Sequence, residues 1–309
     1  MKNNRIDVII PTYNSSKYLS GAIKSALNQR NVELQVLIID DGSTDNTRQL
    51  VKSLSSKNAV IKYFYQPNRG LSSARNLGIK VSEAPYIAFL DADDIWLPEK
   101  IAKQLAIFTK SKNDSLGLVY CDYFDIDVNG QKIPYPSMRL DPSVKGKVYS
   151  RLLAGNLIAG SGSGVLVKRE CFDKLGGFDE NLPTCEDWDM WLRISKQYQV
   201  DYTIEKLVGI RRSSNTMSSN NAGMLLGMAL LYDKNVDFTN SSQAKEYFYT
   251  ILMKTFFQKS KLRTTLIDIK KGISSTTYTS LFSSSIMMIK IFVRESVFAL
   301  WRGIREVFL

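Results

Sequence analysis

The most informative absence in this 309-residue chain is histidine, which occurs at no position. Its absence excludes a Ser-His-Asp triad, a Cys-His nucleophile pair, zinc sites of the HExxH type and general-base catalysis by imidazole. A general base in this chain must therefore be Asp, Glu, Lys, Tyr or Cys.

Cysteine is also scarce, with three residues far apart in the sequence, Cys121, Cys171 and Cys185. An odd number without a CxxC pair argues against a disulfide framework and against a structural zinc site. The N-terminal residues lead directly into a short apolar strand and lack the apolar core of a signal peptide. We therefore expect reduced thiols and a cytoplasmic protein.

The net charge of +11 is compatible with nucleic acid, an anionic membrane or a phosphate-bearing substrate as partner. The basic residues concentrate in the C-terminal part and are not interleaved as in a base-stacking platform, so we expect no nucleic acid. Residues 286–309 are apolar, with their charges on one broad helical sector, which is typical of a helix lying on an anionic membrane. The alternative is a helix packed on the protein's own core or on a second copy, so an oligomer is compatible with the sequence.

Apolar runs at 6–10, 34–39, 60–65 and 86–90 alternate with segments of helical periodicity. This alternation predicts an α/β fold with a mostly parallel sheet covered by helices on both faces. The pattern changes near residue 110, and after residue 220 it becomes helical and basic. We therefore predict three parts: residues 1–110, residues 111–220 and a helical, membrane-associated extension at 221–309.

Three carboxylates follow the fourth apolar run within four positions, at Asp91, Asp93 and Asp94. Like charges so close repel one another unless a cation lies among them. One interpretation is a Mg²⁺ or Mn²⁺ site shared with phosphates. The other is a solvated acidic turn that caps the next helix. Because ligands bind beyond the carboxyl ends of parallel strands, we expect this cluster to share a crevice with the polar residues after the first and second strands.

Five motifs in order carry a family resemblance: Pro11-Thr12-Tyr13-Asn14, Asp40-Asp41-Gly42-Ser43, Asn68 to Asn76, Leu90 to Asp94, and Glu186-Asp187-Trp188-Asp189. Together they resemble the inverting family 2 glycosyltransferases over roughly residues 5 to 218. The resemblance implies a GT-A fold, a Rossmann-like, mostly parallel sheet flanked by helices, here with a C-terminal helical extension. It also implies transfer of a sugar from a nucleotide-diphosphate donor, by preference a UDP-sugar, to a saccharide or lipid-linked acceptor in surface polysaccharide synthesis.

The resemblance implies a nucleotide site at the strand ends. Tyr13, with Pro11 and Thr12, would hold the base by stacking, and Asp41 would read the uracil edge. Arg75 would lie near the diphosphate or the base, and the alternative is an ion pair with a strand-end aspartate. The segment Asn14-Ser15-Ser16, Asp45 and Asp94 are expected to cap helices.

The resemblance also implies a DxD motif at Asp91-Ala92-Asp93. Asp93 would be the main Mg²⁺ or Mn²⁺ ligand, while Asp91 would bind the sugar or ribose and contribute a second metal contact. The cation would neutralise the diphosphate leaving group without proton transfer.

Asp187 is the predicted general base of an inverting hexosyl transfer. The acceptor hydroxyl attacks from the face opposite the nucleotide, so a carboxylate must lie beside it. The alternative is that Glu186 and Asp187 only cap a helix. Trp188 and Trp191 are either a sugar-stacking platform or core, and we favour core for Trp191.

One position departs from the family pattern. Many relatives carry a histidine after the arginine pair near 211–212, where this chain has Ser213. Arg211 and Arg212 are then the candidates that hold the diphosphate electrostatically.

Two other functions fit parts of the sequence. A sugar-phosphate nucleotidyltransferase also combines a Rossmann-like sheet with a divalent metal, but it usually carries a glycine-rich loop where this chain has Pro-Thr-Tyr-Asn. A catalytically inactive nucleotide-sugar-binding protein is disfavoured because Asp91, Asp93 and Asp187 are all present.

Overall fold

The computed structural model describes residues 4–134, 140–212, 221–257 and 262–282. The chain divides into two compact units. The first comprises Met1–Tyr149, Asn156–Glu180 and Asp189–Ser213, and the second comprises Ser150–Gly155, Asn181–Trp188 and Ser214–Leu309. The predicted boundaries near residues 110 and 220 stay a prediction.

The strands all belong to the first unit. They are β1 Ile6–Thr12, β2 Leu34–Asp41, β3 Ile61–Gln66, β4 Tyr86–Phe89, β5 Ile95–Trp96, β6 Leu116–Ile126, β7 Lys132–Ile133, β8 Leu166–Lys168 and β9 Gln199–Arg211. The helices are α1 Leu19–Leu27, α2 Thr47–Ser55, α3 Leu71–Val81, α4 Lys100–Lys110, α5 Tyr149–Leu152, α6 Ser161–Gly164, α7 Arg169–Leu175, α8 Glu186–Gln197, α9 Asn221–Lys234, α10 Val236–Asn240, α11 Ser242–Phe257, α12 Leu262–Gly272 and α13 Ser275–Phe282.

The strands form one mixed sheet in the order β3-β2-β1-β4-β8-β6-β9-β5, with β7 paired to β6. The pairs β1–β2, β2–β3, β1–β4 and β6–β9 are parallel, whereas β8 runs antiparallel to both β4 and β6. The predicted alternation of parallel strands with helices in the first half of the chain is therefore confirmed.

The apolar runs become strands because both faces of the sheet are covered. All seven residues of β1 are buried, as are the last six residues of β2. In such a two-sided core, a strand needs no polar alternation. The expected apolar side chains, among them Ile6, Val8, Ile38 and Ala88, lie in one hydrophobic cluster.

The strand register brings the predicted polar clusters to one edge of the sheet. Thr12 lies opposite Asp40 in the β1–β2 pair, and Ile9 lies opposite Phe89 in the β1–β4 pair. The loops that follow β1, β2 and β4 therefore leave the sheet at the same end, as predicted.

The second unit is helical, in agreement with the predicted C-terminal region. Its core is aromatic. The Tyr232 ring stacks on the Phe238 ring with 4.4 Å between centroids, and Trp188 packs edge to face with Phe238 with 5.5 Å between centroids. Within the described part of the chain, no helix has the length and apolar character to cross a membrane. The predicted membrane-surface helix at 286–309 lies outside the described residues.

Candidate functional site

The loops after β1 and β2 are joined by side-chain hydrogen bonds. The Asn14 side-chain oxygen accepts from the backbone N–H of Thr44 at 2.7 Å and of Asp45 at 3.2 Å, while the Asn14 N–H donates to Ser43 Oγ at 2.9 Å. The prediction that Asn14-Ser15-Ser16 caps the first helix is wrong: Tyr18 precedes α1 and makes no side-chain capping bond. The Asn14 side chain instead reaches across to the neighbouring loop. Asp45 accepts from the Thr47 N–H at the start of α2, so its capping role is confirmed.

Asp41 ties the end of β2 to the start of α3. One carboxylate oxygen accepts from the Arg69 N–H at 2.9 Å and from the Gln66 amide at 2.6 Å, and the other accepts from the Gly70 N–H at 2.8 Å. Asp40 accepts from the Ser43 N–H at 2.8 Å and from the Tyr63 hydroxyl at 2.6 Å. Burial and this bond to the Asp40 carboxylate raise the pKa of Tyr63. Both aspartates therefore hold loops at the edge of the sheet, and the part of Asp41 in reading a base stays a prediction.

The Tyr13 ring and the Thr12 hydroxyl lie at the same strand end. Tyr13 is 51% exposed, so its ring is open to solvent. Thr12 is buried, and its Oγ1 has no hydrogen-bond partner among the described residues. A buried hydroxyl without a partner is costly, so it marks a place where a ligand can supply the missing bond. Pro11 is buried beside them in β1.

The Arg75 guanidinium pairs with Asp91. Arg75 Nη2 lies 3.0 Å from Asp91 Oδ1, and the guanidinium also lies over the Phe178 ring at 5.2 Å. The ion-pair alternative for Arg75 is thus confirmed, and its contact with a nucleotide stays a prediction. Gly162 leaves room for this arrangement, because a Cβ at that position would lie 3.0 Å from Arg75 Nη2.

Asp93 carries the second carboxylate of the DxD motif. Burial and the nearby charge of Asp91 raise the pKa of Asp93, and Arg211 opposes that shift. Ala92 between the two aspartates is buried. Burial and a neighbouring carboxylate both disfavour the ionised form of Asp93.

Asp94 is not a helix cap, contrary to the prediction. Its side chain is buried: one oxygen accepts from Ser163 Oγ at 2.7 Å and the other from the Arg211 N–H at 3.0 Å. Burial, together with the charges of Asp91 and Asp93, raises the pKa of Asp94 well above its usual range. The following helix α4 is instead preceded by Glu99, which makes no side-chain capping bond.

The two arginines at the end of β9 make protein contacts. The Arg211 Nε–H donates to the backbone oxygen of Asp93 at 2.7 Å, and Nη1 donates to the backbone oxygen of Asp127 at 2.6 Å. Arg212 donates to Asp125 at 2.8 Å. Their electrostatic role toward a diphosphate stays a prediction, and the Ser213 position lies outside the described residues.

Asp187 belongs to the second unit, at the second position of α8. It is half-buried, whereas Glu186 beside it is buried. Cys185, immediately before the helix, has a φ of 64°, a left-handed conformation that non-glycine residues seldom adopt. Burial raises the pKa of the Cys185 thiol.

Trp188 follows Asp187 and is core, not a sugar platform. It is 1% exposed, and its indole N–H donates to the Leu152 oxygen at 2.6 Å. In the first unit, Trp191 is also fully buried, as predicted, with its ring edge on Phe178. All three cysteines are free thiols, which confirms the expectation that they form no disulfide.

The donor set fits a divalent cation that takes part of its coordination from a substrate. Asp91 and Asp93 offer the oxygen ligands that Mg²⁺ and Mn²⁺ prefer. Among the described residues, no group of three or more Cys, Asp or Glu side chains could hold an ion by itself. Asp94 is engaged by Ser163 and Arg211 and is not available. Among the described residues, Asp91 and Asp93 are thus the carboxylates of this loop that remain available to a cation.

The mixed sheet with its flanking helices has the GT-A fold seen in solved glycosyltransferase structures. Solved structures share it: S. aureus TarS 1-349 in complex with UDP-GlcNAc has a TM-score of 0.64 at 17% identity, covering 93% of this chain and 89% of that chain. The mannosyltransferase PcManGT from Pyrobaculum calidifontis, in complex with GDP-Man and Mn²⁺, has a TM-score of 0.58 at 14% identity, covering 97% and 82%.

The chain belongs to glycosyl transferase family 2, whose sequence model matches residues 7–176. An uncharacterized glycosyltransferase of Rickettsia conorii is 30% identical over 264 residues, which are 82% of this chain and 42% of that protein. The chondroitin synthase of Escherichia coli is 30% identical over 191 residues, 62% of this chain and 26% of that protein. The chain thus spans less than two thirds of the length of these relatives.

Proposed function

We propose that this protein is a metal-dependent, inverting glycosyltransferase that moves a hexosyl group from a nucleotide-diphosphate sugar to an acceptor hydroxyl. The observation that carries the proposal is the meeting of two features at one sheet edge. The exposed Tyr13 ring and the unpartnered Thr12 hydroxyl suit a nucleotide base, and the Asp91–Asp93 pair suits a cation on a diphosphate.

The donor is a nucleotide sugar, by preference a UDP-sugar. An exposed aromatic ring at a strand end offers a flat apolar face for a base. Thr12 Oγ1 and Asp41 would supply polar contacts to its edge. Two structural neighbours support this donor class, since their complexes contain UDP-GlcNAc and GDP-Man.

Asp93, with a contribution from Asp91, would hold Mg²⁺ or Mn²⁺ against the diphosphate. A bound cation supplies positive charge to the leaving diphosphate. The neighbour that contains Mn²⁺ supports this choice of ion. Arg75 keeps Asp91 oriented, and Arg211 holds the backbone of Asp93 in place. Arg211 and Arg212 add positive charge at the same edge.

Asp187 would act as the base in a chain that contains no histidine. It takes the proton of the acceptor hydroxyl while the oxygen bonds to C1 of the sugar. The bond between C1 and the phosphate oxygen breaks at the same time, and its electron pair leaves with the nucleoside diphosphate. Attack opposite the leaving group inverts the configuration at C1.

The proposed acceptor is a hydroxyl of a saccharide or of a lipid-linked acceptor in surface polysaccharide synthesis. The relative named chondroitin synthase supports a polysaccharide setting. We propose peripheral binding at the inner face of the cell membrane through residues 286–309. Deleting these residues should release the protein from anionic vesicles in a sedimentation assay, and equal sedimentation with and without them would contradict the membrane contact.

A donor screen tests the proposed function. Purified protein is incubated with UDP- and GDP-sugars and with Mn²⁺, Mg²⁺ or EDTA, and release of nucleoside diphosphate is measured. We expect release with one donor class, loss of it with EDTA, and loss of it in Asp93→Ala. The control is Asp173→Asn, an exposed aspartate that pairs with Arg169. Full activity in EDTA would contradict metal dependence, and full activity of Asp93→Ala would contradict the ligand assignment.

A further inference from the structure

A buried serine links the backbone of Asp91 to the side chain of Asp94 in the loop of residues 91–94, here called the DxD loop. Ser163 is fully buried, and its hydroxyl donates to Asp94 Oδ2 at 2.7 Å and accepts from the Asp91 N–H at 3.0 Å. The Ser163 hydroxyl hydrogen is thus directed at Asp94, and one of the oxygen lone pairs is directed at the Asp91 N–H.

Arg211 makes two further hydrogen bonds to the DxD loop. Its backbone N–H donates to the second oxygen of Asp94 at 3.0 Å, while its side chain donates to the Asp93 oxygen at 2.7 Å. Within the loop, the Asp94 N–H donates to the Asp91 oxygen at 3.1 Å. The backbone of the loop is therefore held at the Asp91 N–H, the Asp91 oxygen and the Asp93 oxygen. The Asp94 carboxylate connects these contacts, because it accepts hydrogen bonds from both Ser163 and Arg211.

The short segment that presents Ser163 is built for close approach. Gly160 has a φ of 75°, and a Cβ on Gly164 would lie 2.4 Å from the Ala159 oxygen. Either substitution would move the turn. The backbone oxygen of Ser163 accepts from the Trp96 indole N–H at 2.9 Å, which adds a second contact to this segment. The position of Ser163 is therefore constrained by these close approaches and by the bond from Trp96.

We propose that Ser163 and Asp94 are positioning residues for the cation, acting through the backbone of Asp91 and Asp93. The inference rests on the proposed function, because it assumes that Asp93 and Asp91 hold Mn²⁺ or Mg²⁺. The Asp94 carboxylate is not itself a ligand, since it is buried and both of its oxygens accept hydrogen bonds from the protein. Outer residues that orient metal ligands typically change metal affinity by about 10- to 100-fold when they are replaced.

The test compares two buried serine–aspartate pairs. Ser163→Ala removes the bond to Asp94. Ser82→Ala is the matched control, because Ser82 is also buried and donates to the buried Asp7 at 2.7 Å. That pair lies at the other end of β1, since Asp7 is the second residue of the strand. Each full-length variant is titrated with Mn²⁺ in the presence of UDP, and separately of GDP, and free Mn²⁺ is read by electron paramagnetic resonance. Melting temperature is recorded in parallel.

Ser163→Ala is expected to weaken Mn²⁺ binding by about 10-fold or more. The control should lose similar thermal stability and bind Mn²⁺ as the wild type does. Asp94→Asn provides a second variant, since it keeps an acceptor for the Arg211 N–H and loses the acceptor for the Ser163 hydroxyl. We expect Asp94→Asn to weaken Mn²⁺ binding as well. Its counterpart control is Asp7→Asn.

Two outcomes would overturn the proposal, and they differ in whether the proposed metal site survives. If the wild type binds Mn²⁺ and both site variants bind it equally well, the positioning role is wrong while the proposed metal site stands. If the wild type binds no Mn²⁺ with either nucleotide, the metal site itself is wrong, and the positioning role is wrong with it.

Discussion

Arg75 and Asp91 form an ion pair whose two members differ in exposure. The Arg75 side chain is 2% exposed and the Asp91 side chain 32% exposed, with 3.0 Å between Nη2 and Oδ1. A buried guanidinium thus holds a carboxylate that still reaches solvent. The ion pair orients the Asp91 side chain, because its Oδ1 is held against the Arg75 guanidinium.

Replacing Arg75 should lower both stability and metal binding. Arg75→Met removes a charge-assisted hydrogen bond, so we expect the free energy of unfolding to fall by about 2 kcal/mol in urea denaturation. Mn²⁺ affinity should fall with it, because Asp91 loses its orientation. Arg5→Met is the control: Arg5 lies 3.6 Å from an exposed glutamate, and such pairs contribute about 0–1 kcal/mol. Equal losses in the two variants would count against a special role for the Arg75–Asp91 pair.

Asp187→Asn should stop sugar transfer while leaving donor binding largely intact. The base acts on the acceptor, so only the chemical step loses its proton acceptor. We expect the turnover rate to fall by about 100-fold or more. Calorimetric titration with nucleotide sugar measures donor binding. Glu246→Gln, an exposed carboxylate of the same unit, serves as the control. Full transfer by Asp187→Asn would show that another group is the base.

Removing the Asn14 side chain should weaken nucleotide binding. Asn14 has a φ of 49°, and its side-chain oxygen bridges to Thr44 and Asp45. Asn14→Gly keeps the left-handed conformation and loses these bonds, so the loop that carries Tyr13 should become mobile. We expect a stability loss of about 1 kcal/mol, since these bonds are exposed, and a higher KM for the donor. Asn31→Gly is the matched control, since Asn31 is an exposed asparagine with a φ of 58°. If the donor KM of Asn14→Gly equals that of Asn31→Gly, the Asn14 side chain does not hold the loop for nucleotide binding.

Lys100 should make stability depend on pH above 8. Burial lowers the pKa of the Lys100 ammonium from 10.5 to about 8. It lies 4.2 Å from the Trp96 ring centroid and donates to Gln104 at 2.8 Å. Between pH 8 and 10.5 the unfolded chain keeps a proton that the folded protein has released, so the free energy of unfolding rises with pH in this window.

The full difference corresponds to about 3 kcal/mol, which is the penalty for the buried charge below pH 8. Urea denaturation at several pH values should show this rise in the wild type and lack it in Lys100→Met. Because other groups titrate in the same range, the informative quantity is the difference between the two proteins. A constant difference from pH 7 to 10.5 would contradict the lowered pKa.

The parallel half of the fold was predictable because its signal is local. Continuous apolar strands, helical periodicity and the direction of parallel strands suffice to place Tyr13, Asp41, Asp91 and Asp93 at one edge. The roles of Asn14 and Asp94 were predicted incorrectly for one reason. Short polar residues before a helix commonly cap it, and sequence spacing does not show a partner in another loop.

Ser163 was missed altogether. It occurs in a glycine- and serine-rich stretch, and nothing in that stretch marks one serine as different from its neighbours. Its partner Asp94 is 69 positions away, and Arg211 is 117 positions from Asp94. Only the packing of β8, α6 and the end of β9 against the DxD loop brings these residues together.

By itself, the sequence determined the class of sheet, the family and the chemical inventory: carboxylates as candidates for both cation binding and proton transfer, in a chain without histidine. These follow from residue type, order and periodicity, which are properties of the chain alone. The tertiary structure decided which carboxylates remain available. It turned Asp94 inward to Ser163 and Arg211 and bound Asp91 to Arg75. The direction of a side chain depends on partners that the fold brings from distant positions.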